Sequence, residues 1–406
     1  MNRERMVVRD PLLDPRQQLL GYRFYWSRLS SGEVSEVDEA RSLLARLQEV
    51  LASNEESEHP VTFRYRFYIP ATADLLHEEA FQALPVANTG LIVSPETLDD
   101  EAARGALMTL RAQGFEILLH GADPGGLRPE WLQVCSMVDV HFEPGNFTTQ
   151  ARIYALLKQS SMRMAATDVA SWQEYAVCTK LGLNAFVGKF YMSPPPSAGN
   201  KERSLNPSQA TLLQLMEGVR ANADIARLEE LLKHDAAVSY KLLFYINSAA
   251  FGLSFEIESL RHAIQMLGYE HLYRWLCVLF ATSDESLSSP VLLQAALIRG
   301  RLIELIGKIC LSKADSENLF ITGMFSMLDR LLGIDMEVAL ENIRLPEAVV
   351  DALIGHTGIY LPFLELALAC ETDSSDIGLL ADGLGIDQRQ VNQAHFEAIF
   401  WAQRLL

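Results

Sequence analysis

The segment 235-DAAVSYKLLFYINSAAFGLSFEIESLRHAIQMLG-268 decides the fold of the second half of the chain. Its first part repeats apolar residues at helical spacing, and this face is formed by Val238, Leu242, Leu243 and Ile246. The small residues from Asn247 to Gly252 then interrupt the helix. A second apolar face follows at Ile257, Leu260, Ile264 and Leu267, and Gly268 stands where a left-handed residue closes a helix. The segment therefore predicts two helices joined by a tight turn.

The order of residues in this segment resembles the signature of the HDOD domain, an all-helical regulatory module. The shared features are an acidic start, a KLL helix, the motif NSA-x-FG and the motif S-L-x-x-A-I-x-x-LG. The signature positions are Asn247, Ser248, Ala249, Phe251, Gly252 and Gly268. This resemblance implies a role in signalling and protein interaction rather than in catalytic turnover.

Asn247 and Ser248 allow two interpretations. They form either a polar pocket that recognises a ligand or partner, or a local structure in which Asn247 caps the helix and Ser248 starts the turn. We favour the second, because short polar side chains compete with the helical backbone for hydrogen bonds.

The composition of the chain is that of a globular protein, and its length is sufficient for two domains. It has 406 residues, 49% of them hydrophobic and 21% charged, and no apolar run reaches the roughly 18–20 residues that span a bilayer. The N-terminus lacks the apolar core of a signal peptide, so we expect a cytoplasmic protein. The net charge of −18 argues against nucleic-acid and membrane partners. Five widely separated cysteines predict buried free thiols, without disulfides or zinc.

Residues up to about 200 alternate between β-rich and helical runs, which is typical of a mostly parallel sheet that closes into a barrel. The candidate strands are 17–25, 61–69, 90–94, 115–120, 138–142, 162–166 and 185–188. The charged, alternating pattern of the first two indicates an edge or antiparallel part. The segment 193-SPPPSAGNKERSLNPSQ-209 suits an exposed connection. We therefore expect an α/β barrel domain over residues 1–200 and an all-α domain over residues 201–406, with helices that include one over residues 319–332.

The first half resembles the EAL phosphodiesterase, a (β/α) barrel that hydrolyses cyclic di-GMP. The similar segments are 10-DPLLDPRQQLLGYRFYWSR-28, 114-GFEILLHGAD-123, 138-VDVHFE-143, 165-AATDVAS-171 and 182-GLNAFVGKFYMSPP-195. Together with the HDOD signature, they resemble the EAL–HDOD architecture of the YuxH-like signalling family.

Active EAL domains hold two divalent cations with carboxylates and an Asn, and they place a Lys near the attacking water. At the matching positions, this chain has Arg23, Ile69, Ser94, His120, Gly121, Phe142 (for the Lys), Thr167, Ala170 and Val187. An arginine where two cations would sit opposes metal binding electrostatically. The resemblance thus implies a degenerate site with no metal, no cofactor and no phosphodiesterase activity.

HDOD domains in turn resemble the HD phosphohydrolases, whose adjacent His and Asp bind metal. Within 323-GMFSMLD-329, Ser326 and Met327 occupy these two positions. A neutral hydroxyl is a weak ligand and a thioether is a soft one, so we expect no metal and no catalysis in the helical half either.

The two resemblances predict a non-catalytic bacterial scaffold protein that acts by protein–protein interaction. They imply a kinase, a cyclase or phosphodiesterase, or a motility regulator as the partner, in behaviour such as motility or biofilm formation that cyclic di-GMP regulates. One alternative is a receptor that binds cyclic di-GMP or another nucleotide without hydrolysis, through Arg23, Arg64, Arg66 and His120. Residual phosphodiesterase activity and nucleic-acid binding by the helices around Asn247 are two further alternatives. The oligomeric state is left open.

Overall fold

The computed structural model describes residues 5–27, 35–55, 63–77, 81, 84–122, 126–141, 154–155, 157–158, 162–193, 206–233, 235–248, 256–283, 289–341, 343, 345–374 and 376–405. These residues form two compact units. One unit holds the described residues of Met1–Glu55, Phe63–Pro195 and Cys370–Ser375, and the other holds those of Pro196–Ala369 and Asp376–Leu406.

The first unit contains a closed barrel whose eight strands follow one another in chain order. They are β1 (Val7–Leu13), β2 (Leu19–Trp26), β3 (Arg66–Pro70), β4 (Thr89–Val93), β5 (Glu116–Leu119), β6 (Met137–His141), β7 (Arg163–Val169) and β8 (Ala185–Gly188). β1 is antiparallel to both β2 and β8, and all other neighbours are parallel. The predicted barrel is confirmed. The antiparallel pairing expected of the first two candidate strands is confirmed for 17–25, which is β2, and is wrong for 61–69, because β3 is parallel to both of its neighbours.

The sequence interpretation missed β1, because Pro11 interrupts its sequence VVRDPLL and proline cannot donate a ladder hydrogen bond. In the barrel, Pro11 lies opposite Tyr22 of β2. On the other side, β8 pairs only with Leu12 and Leu13. The strand therefore tolerates the proline at a position where only one neighbour pairs with it.

Helices of the first unit connect these strands. They are α1 (Glu36–Glu55), α2 (Pro95–Asp99), α3 (Glu101–Gln113), α4 (Pro129–Val134) and α5 (Trp172–Leu181). Local sequence explains the bounds of α3, since the Asp100 side chain accepts a hydrogen bond from the Ala103 N–H at its start. Gly114, with φ of 115°, ends it.

The barrel interior is a packed core, with Tyr68 as its largest side chain. Its buried members are Leu12, Tyr68, Leu118, Met137, Ala165, Ala185 and Val187. The ring fits because β2 and β4 carry glycines beside it, so a Cβ atom on Gly90 or Gly21 would collide with Tyr68 or with the backbone of Arg66. Since side chains fill the interior, a site in this barrel has to lie at its rim.

The second unit is helical, as predicted. Its helices are α6 (Pro207–Arg220), α7 (Ile225–Lys233), α8 (Ala236–Ile246), α9 (Leu260–Ala281), α10 (Pro290–Cys310), α11 (Lys313–Phe325), α12 (Leu328–Leu332), α13 (Met336–Glu341), α14 (Glu347–Val350), α15 (Leu361–Thr372), α16 (Ile377–Gly383) and α17 (Gln388–Leu405). A π-helical turn, Asp351–Gly355, follows α14. α15 extends into residues assigned to the first unit.

Two details differ from expectation. Gly268 has the positive φ expected of it, 80°, but its ψ of 171° makes it a kink within α9 rather than a left-handed cap. The single helix predicted over residues 319–332 is wrong, because the chain leaves helical geometry at Met327, between α11 and α12.

The five cysteines are free, and four are buried, whereas Cys310 is exposed. The expectation of buried thiols is therefore wrong at Cys310, where α10 ends. Among the residues that the structure describes, no helix has both the length and the apolar character needed to cross a bilayer.

Candidate functional site

The barrel rim brings together three of the positions matched to the EAL pattern, and we call this group, with Asp139, the Arg23 cluster. Arg23 extends from β2, His120 and Gly121 follow β5, and Asp139 lies on β6. The Nη1 atom of Arg23 lies 3.6 Å from Oδ2 of Asp139, and its Nη2 atom lies 3.3 Å from Nδ1 of His120. His120 Nδ1 also contacts Asp139 Oδ2. This is the carboxyl end of the parallel strands, where barrel enzymes carry their active sites.

Both oxygens of the buried Asp139 carboxylate have partners. Oδ2 faces Arg23 and His120, and Oδ1 accepts a hydrogen bond of 3.2 Å from the Gly121 N–H. A buried carboxylate is stable only when it is paired and hydrogen-bonded in this way. The same pairing leaves it with little capacity to coordinate a cation, and the guanidinium beside it repels one. The Arg23 cluster thus does not fit the metal centre of an active EAL domain.

Further charged groups surround the Arg23 cluster. Burial raises the pKa of Asp10 on β1, while the charges of Arg23 and Lys189 and a hydrogen bond from Tyr25 act in the opposite direction. His141 and Asp168 form an exposed pair with 3.0 Å between Nδ1 and Oδ2. The rim therefore mixes both signs of charge, and does not present a uniformly basic surface to a phosphate.

The other matched positions do not join the Arg23 cluster. Ser94 caps α2 by accepting a hydrogen bond from the Thr97 N–H. Thr167 is buried in β7, and the Ala170 N–H donates to the Glu174 carboxylate over 2.8 Å. Val187 belongs to the barrel interior, and Ile69, next to the inward-facing Tyr68, is buried. Phe142 lies outside the described residues.

The nucleotide-receptor alternative grouped Arg66 with Arg23, but Arg66 does not lie beside Arg23 in the structure. It stands at the amino end of β3, with its Nη1 atom 3.5 Å from the buried carboxylate of Glu116. Arg163 also pairs with Glu116, and the Tyr68 hydroxyl donates to it. This ion cluster closes the amino end of the barrel, on the side that carries stability rather than chemistry.

The sequence interpretation missed Asp139, although the segment VDVHF contains a signal for it. A single Asp inside an otherwise apolar strand requires a buried partner. The residues that satisfy it, Arg23 and His120, are 116 and 19 positions away in the chain, so pairing them required the closed barrel.

In the second unit, Ser326 lies beside a buried cation. The Arg299 guanidinium donates to the Ser326 hydroxyl over 2.6 Å, and this hydroxyl donates to the Gly323 carbonyl over 2.6 Å. Met327 is fully buried in the core. Ser326 therefore lies next to a fixed positive charge, and Met327 lies in apolar packing.

A cluster of charged side chains in the second unit is centred on Glu304 of α10. Arg274 of α9 binds its carboxylate with two hydrogen bonds of 2.9 Å, and Arg301 and Lys308 lie 2.9 Å and 3.0 Å from it. Burial alone would raise the pKa of Glu304, but these three cations outweigh it and lower the pKa to about 2. Arg274 also stacks on the Phe320 ring, 3.6 Å from its centroid.

Asn247 is the C-cap residue of α8, as predicted, but it caps the helix with its backbone and not with its side chain. Its backbone N–H bonds to the end of α8, whereas its side-chain amide bonds to Ile257, ten residues further on. The Nδ2 atom donates to the Ile257 carbonyl over 2.8 Å, and Oδ1 accepts from the Ile257 N–H over 2.7 Å. The amide therefore fixes the segment that leads to α9. Ala249, Phe251 and Gly252 lie outside the described residues, and Ser248 follows Asn247 directly.

Within the described part of the chain, no group of three or more His, Cys, Asp or Glu side chains has the geometry to hold a metal ion.

Comparison with known proteins supports the assignment of the helical unit. Residues 205–336 match the HDOD domain. The uncharacterized protein YuxH of Bacillus subtilis is 29% identical over 247 residues, which are 59% of this chain and 59% of YuxH. The cyclic di-GMP phosphodiesterase CdgJ of Vibrio cholerae is 30% identical over 250 residues, 61% of this chain and 57% of CdgJ. The similar region thus spans less than two thirds of either relative.

Solved structures of EAL proteins resemble the chain weakly. The phosphodiesterase PaMucR in complex with c-di-GMP has 16% identity and a TM-score of 0.36, covering 47% of this chain and 92% of that one. The EAL domain of Mycobacterium smegmatis DcpA has 14% identity and the same TM-score, covering 46% and 90%. Likeness of this size carries no argument about function. The chain combines a closed eight-stranded barrel with an HDOD domain in its helical unit, and it is homologous to YuxH and CdgJ.

Proposed function

We propose that this protein is a non-catalytic bacterial signalling protein that binds other proteins in the cytoplasm, within behaviour that cyclic di-GMP regulates. The HDOD domain and the homology to CdgJ, which is named as a cyclic di-GMP phosphodiesterase, support the connection to this signalling system. The barrel is a degenerate EAL domain, and its role is to present or control a binding surface. Its partner is a kinase, a cyclase or phosphodiesterase, or a motility regulator.

The observation that carries the proposal is the pairing of Arg23 with Asp139. Metal-assisted hydrolysis of a phosphodiester needs oxygen ligands that are free to hold divalent cations. At the rim, the one buried carboxylate of the Arg23 cluster is committed to a guanidinium, an imidazole and a backbone N–H. In the helical unit, the Arg299–Ser326 contact also argues against metal binding, because a buried cation next to Ser326 opposes a metal ion there.

An exposed aromatic pair on α8 supports binding to a protein. Tyr240 and Phe244 are 71% and 58% exposed, and their rings stack with centroids 6.2 Å apart. Both lie one turn apart on the same face of the helix. Tyrosine and phenylalanine are enriched in protein interfaces, because they supply large contact areas at low entropic cost.

The name of CdgJ makes catalysis the first property to test. The purified protein should be incubated with cyclic di-GMP and either Mg²⁺ or Mn²⁺, and titrated with cyclic di-GMP by calorimetry with and without Mg²⁺ or Ca²⁺. We expect neither linear dinucleotide nor binding heat. Metal-dependent formation of the linear dinucleotide would overturn the proposal.

The second candidate function is a nucleotide receptor, and the observation that favours it is that the charges of two rim cations, Arg23 and Lys189, both act on Asp10. Micromolar binding without hydrolysis, lost in Arg23→Ala and kept in Arg66→Ala, would establish this function instead. Arg66 is the matched control because it lies at the opposite end of the barrel.

The protein-binding part of the proposal needs its own experiment. Crosslinking in cells, followed by identification of the captured proteins, should yield a signalling protein with the wild type but not with the double variant Tyr240→Ser and Phe244→Ser. Leu379→Ser is the matched control, since Leu379 is 70% exposed on α16. Equal capture by the wild type and the double variant would remove α8 from the proposed interface.

A further inference from the structure

The helical unit contains a cavity of about 370 Å³ that none of the functions above uses. The end of α6, the part of α9 that follows the Gly268 kink, and the first half of α11 form its walls, and Pro346 lies at its edge. This volume is within the range of about 300–1,000 Å³ that small-molecule sites occupy. The polar side chains in its wall carry both signs of charge.

The positive side of the cavity is Arg220, an exposed residue at the end of α6. Its guanidinium lies over the ring of Tyr273, 4.9 Å from the centroid. Among the described residues, no carboxylate forms an ion pair with Arg220. A guanidinium held on an aromatic ring with its donors unused is suited to a carboxylate, which it binds through two parallel hydrogen bonds.

The negative side is formed by Glu270 of α9 and Glu317 of α11, which both line the cavity and interact electrostatically with each other. Two neighbouring carboxylates repel each other when both are ionised, so a cation beside them is favoured. Burial is the main cause that raises the pKa of Glu317, and the charge of Glu270 raises it further. Lys313 and Arg274 act in the opposite direction and lower this pKa. The Nζ atom of Lys313 lies 3.8 Å from Oε1 of Glu317, but its side chain is largely exposed, and the guanidinium of Arg274 is hydrogen-bonded to Glu304.

We propose that this cavity binds a small zwitterion of the amino acid class, with its ammonium group at Glu270 and Glu317 and its carboxylate at Arg220. Charge complementarity carries the proposal. The ammonium end meets Glu270 and Glu317, of which Glu317 has an ion pair with the exposed Lys313 outside the cavity wall, and the carboxylate end meets Arg220. His271, also in the wall, presents a neutral ring, because burial, Arg274 and Lys313 lower its pKa. The proposal goes beyond the signalling function, for which such a molecule would be an input.

The test is a thermal-shift screen of the full-length protein with each of the twenty common L-amino acids, followed by calorimetry with those that shift the midpoint. We expect at least one to bind, and expect acetate and methylamine, which each carry one charged end, to bind more weakly by about tenfold or more. Arg220→Gln and Glu317→Gln should each weaken binding by about tenfold or more. Arg227→Gln, an exposed change outside the cavity wall, should leave it unchanged. Absence of binding at millimolar concentrations, or equal binding by all variants, would overturn the proposal.

The pH dependence tests the ammonium end separately. The raised pKa of Glu317 means that its carboxyl group loses its proton at a higher pH than an ordinary glutamate does. Only the ionised form attracts an ammonium group, so affinity should increase as the pH rises through the carboxyl range. The charged groups that face Glu317 are Glu270, Arg274 and Lys313, and the two cations keep their charge throughout this range. Within that range, calorimetry in buffers with different ionisation enthalpies should show release of a proton on binding. An affinity independent of pH would overturn the placement of the ammonium group.

Discussion

The guanidinium of Arg23 lies 3.6 Å from the carboxylate of Asp139, and this pair joins β2 to β6 at the rim of the barrel. The two residues are far apart in the chain and on strands that are not neighbours in the sheet. The two residues form a structural ion pair at the rim, because the buried carboxylate of Asp139 has its counter-charge within the protein itself. This relationship leads to the first prediction.

Arg23→Ala should lower the free energy of unfolding by about 1–3 kcal/mol, because Asp139 stays buried with His120 and the Gly121 N–H as its remaining partners. Chemical denaturation followed by circular dichroism measures this loss. Arg41→Ala is the control, because Arg41 forms an exposed pair with Asp38, and we expect a loss below about 1 kcal/mol. Equal losses in both variants would show that the Asp139 pair contributes no more than a surface ion pair.

Glu304→Gln should be the most destabilising polar substitution in the helical unit, with a loss of about 3–5 kcal/mol, because it leaves Arg274 buried without its counter-charge. Thermal and urea denaturation both report the change. Glu397→Gln removes an exposed carboxylate on α17 and should change stability by less than about 0.5 kcal/mol. A loss as small as that of the control would contradict the structural importance of the pair.

The same carboxylate predicts acid sensitivity. Its pKa is about 2 in the folded protein against an ordinary value of 4.5, so the unfolded state binds the proton more readily between these two values. The stabilisation, about 3 kcal/mol by linkage, is fully present above pH 4.5 and is lost as the pH falls towards about 2. The slope of unfolding free energy against pH should therefore be smaller in Glu304→Gln than in the wild type over this range. Parallel curves would exclude Glu304 as a source of the acid sensitivity.

Gly90→Ala should destabilise the barrel by about 1–3 kcal/mol or more, because the added methyl group would collide with the Tyr68 ring. Gly105→Ala is a matched control on α3, where a Cβ atom meets nothing within 4 Å and the helix gains up to about 1 kcal/mol. The two alanines should therefore shift the denaturation midpoint in opposite directions. In a Tyr68→Leu background, the added cost of Gly90→Ala should decrease, since the smaller side chain leaves room. An unchanged cost there would assign the effect to the strand backbone.

Asn247→Ala should cost about 1–3 kcal/mol, since both the N–H and the carbonyl group of Ile257 lose their partner. Asn247→Asp retains an acceptor for the N–H but loses the donor to the carbonyl, so its loss should also be measurable. Gln265→Ala, on the exposed face of α9, serves as the control and should stay within about 0.5 kcal/mol of the wild type. Hydrogen exchange at Ile257 should become faster in Asn247→Ala only.

Sequence patterns that connect residues close together in the chain were enough to predict the barrel and the HDOD helices. Strand–helix alternation identified seven of the eight strands, and helical spacing placed α8 at Ala236–Ile246. β1 was not predicted, because its tolerance of Pro11 depends on how far β8 extends along it, and this is a property of the closed sheet. Likewise, the residues matched to the EAL pattern in the sequence were only partly neighbours in space. Arg23, His120 and Gly121 meet, whereas Ser94 caps a helix and Val187 fills the interior.

The sequence by itself therefore determined the two architectures, because apolar periodicity, glycine and proline act within a few residues of one another. Only the tertiary structure decided which charges are paired. Arg23 with Asp139, Arg66 with Glu116, and Arg274 with Glu304 each join distant parts of the chain. The physical reason is that a buried charge requires a partner but does not specify which one. Closure of the barrel and packing of both α9 and α10 against α11 bring one candidate within reach, and the free energy of burial then fixes that choice.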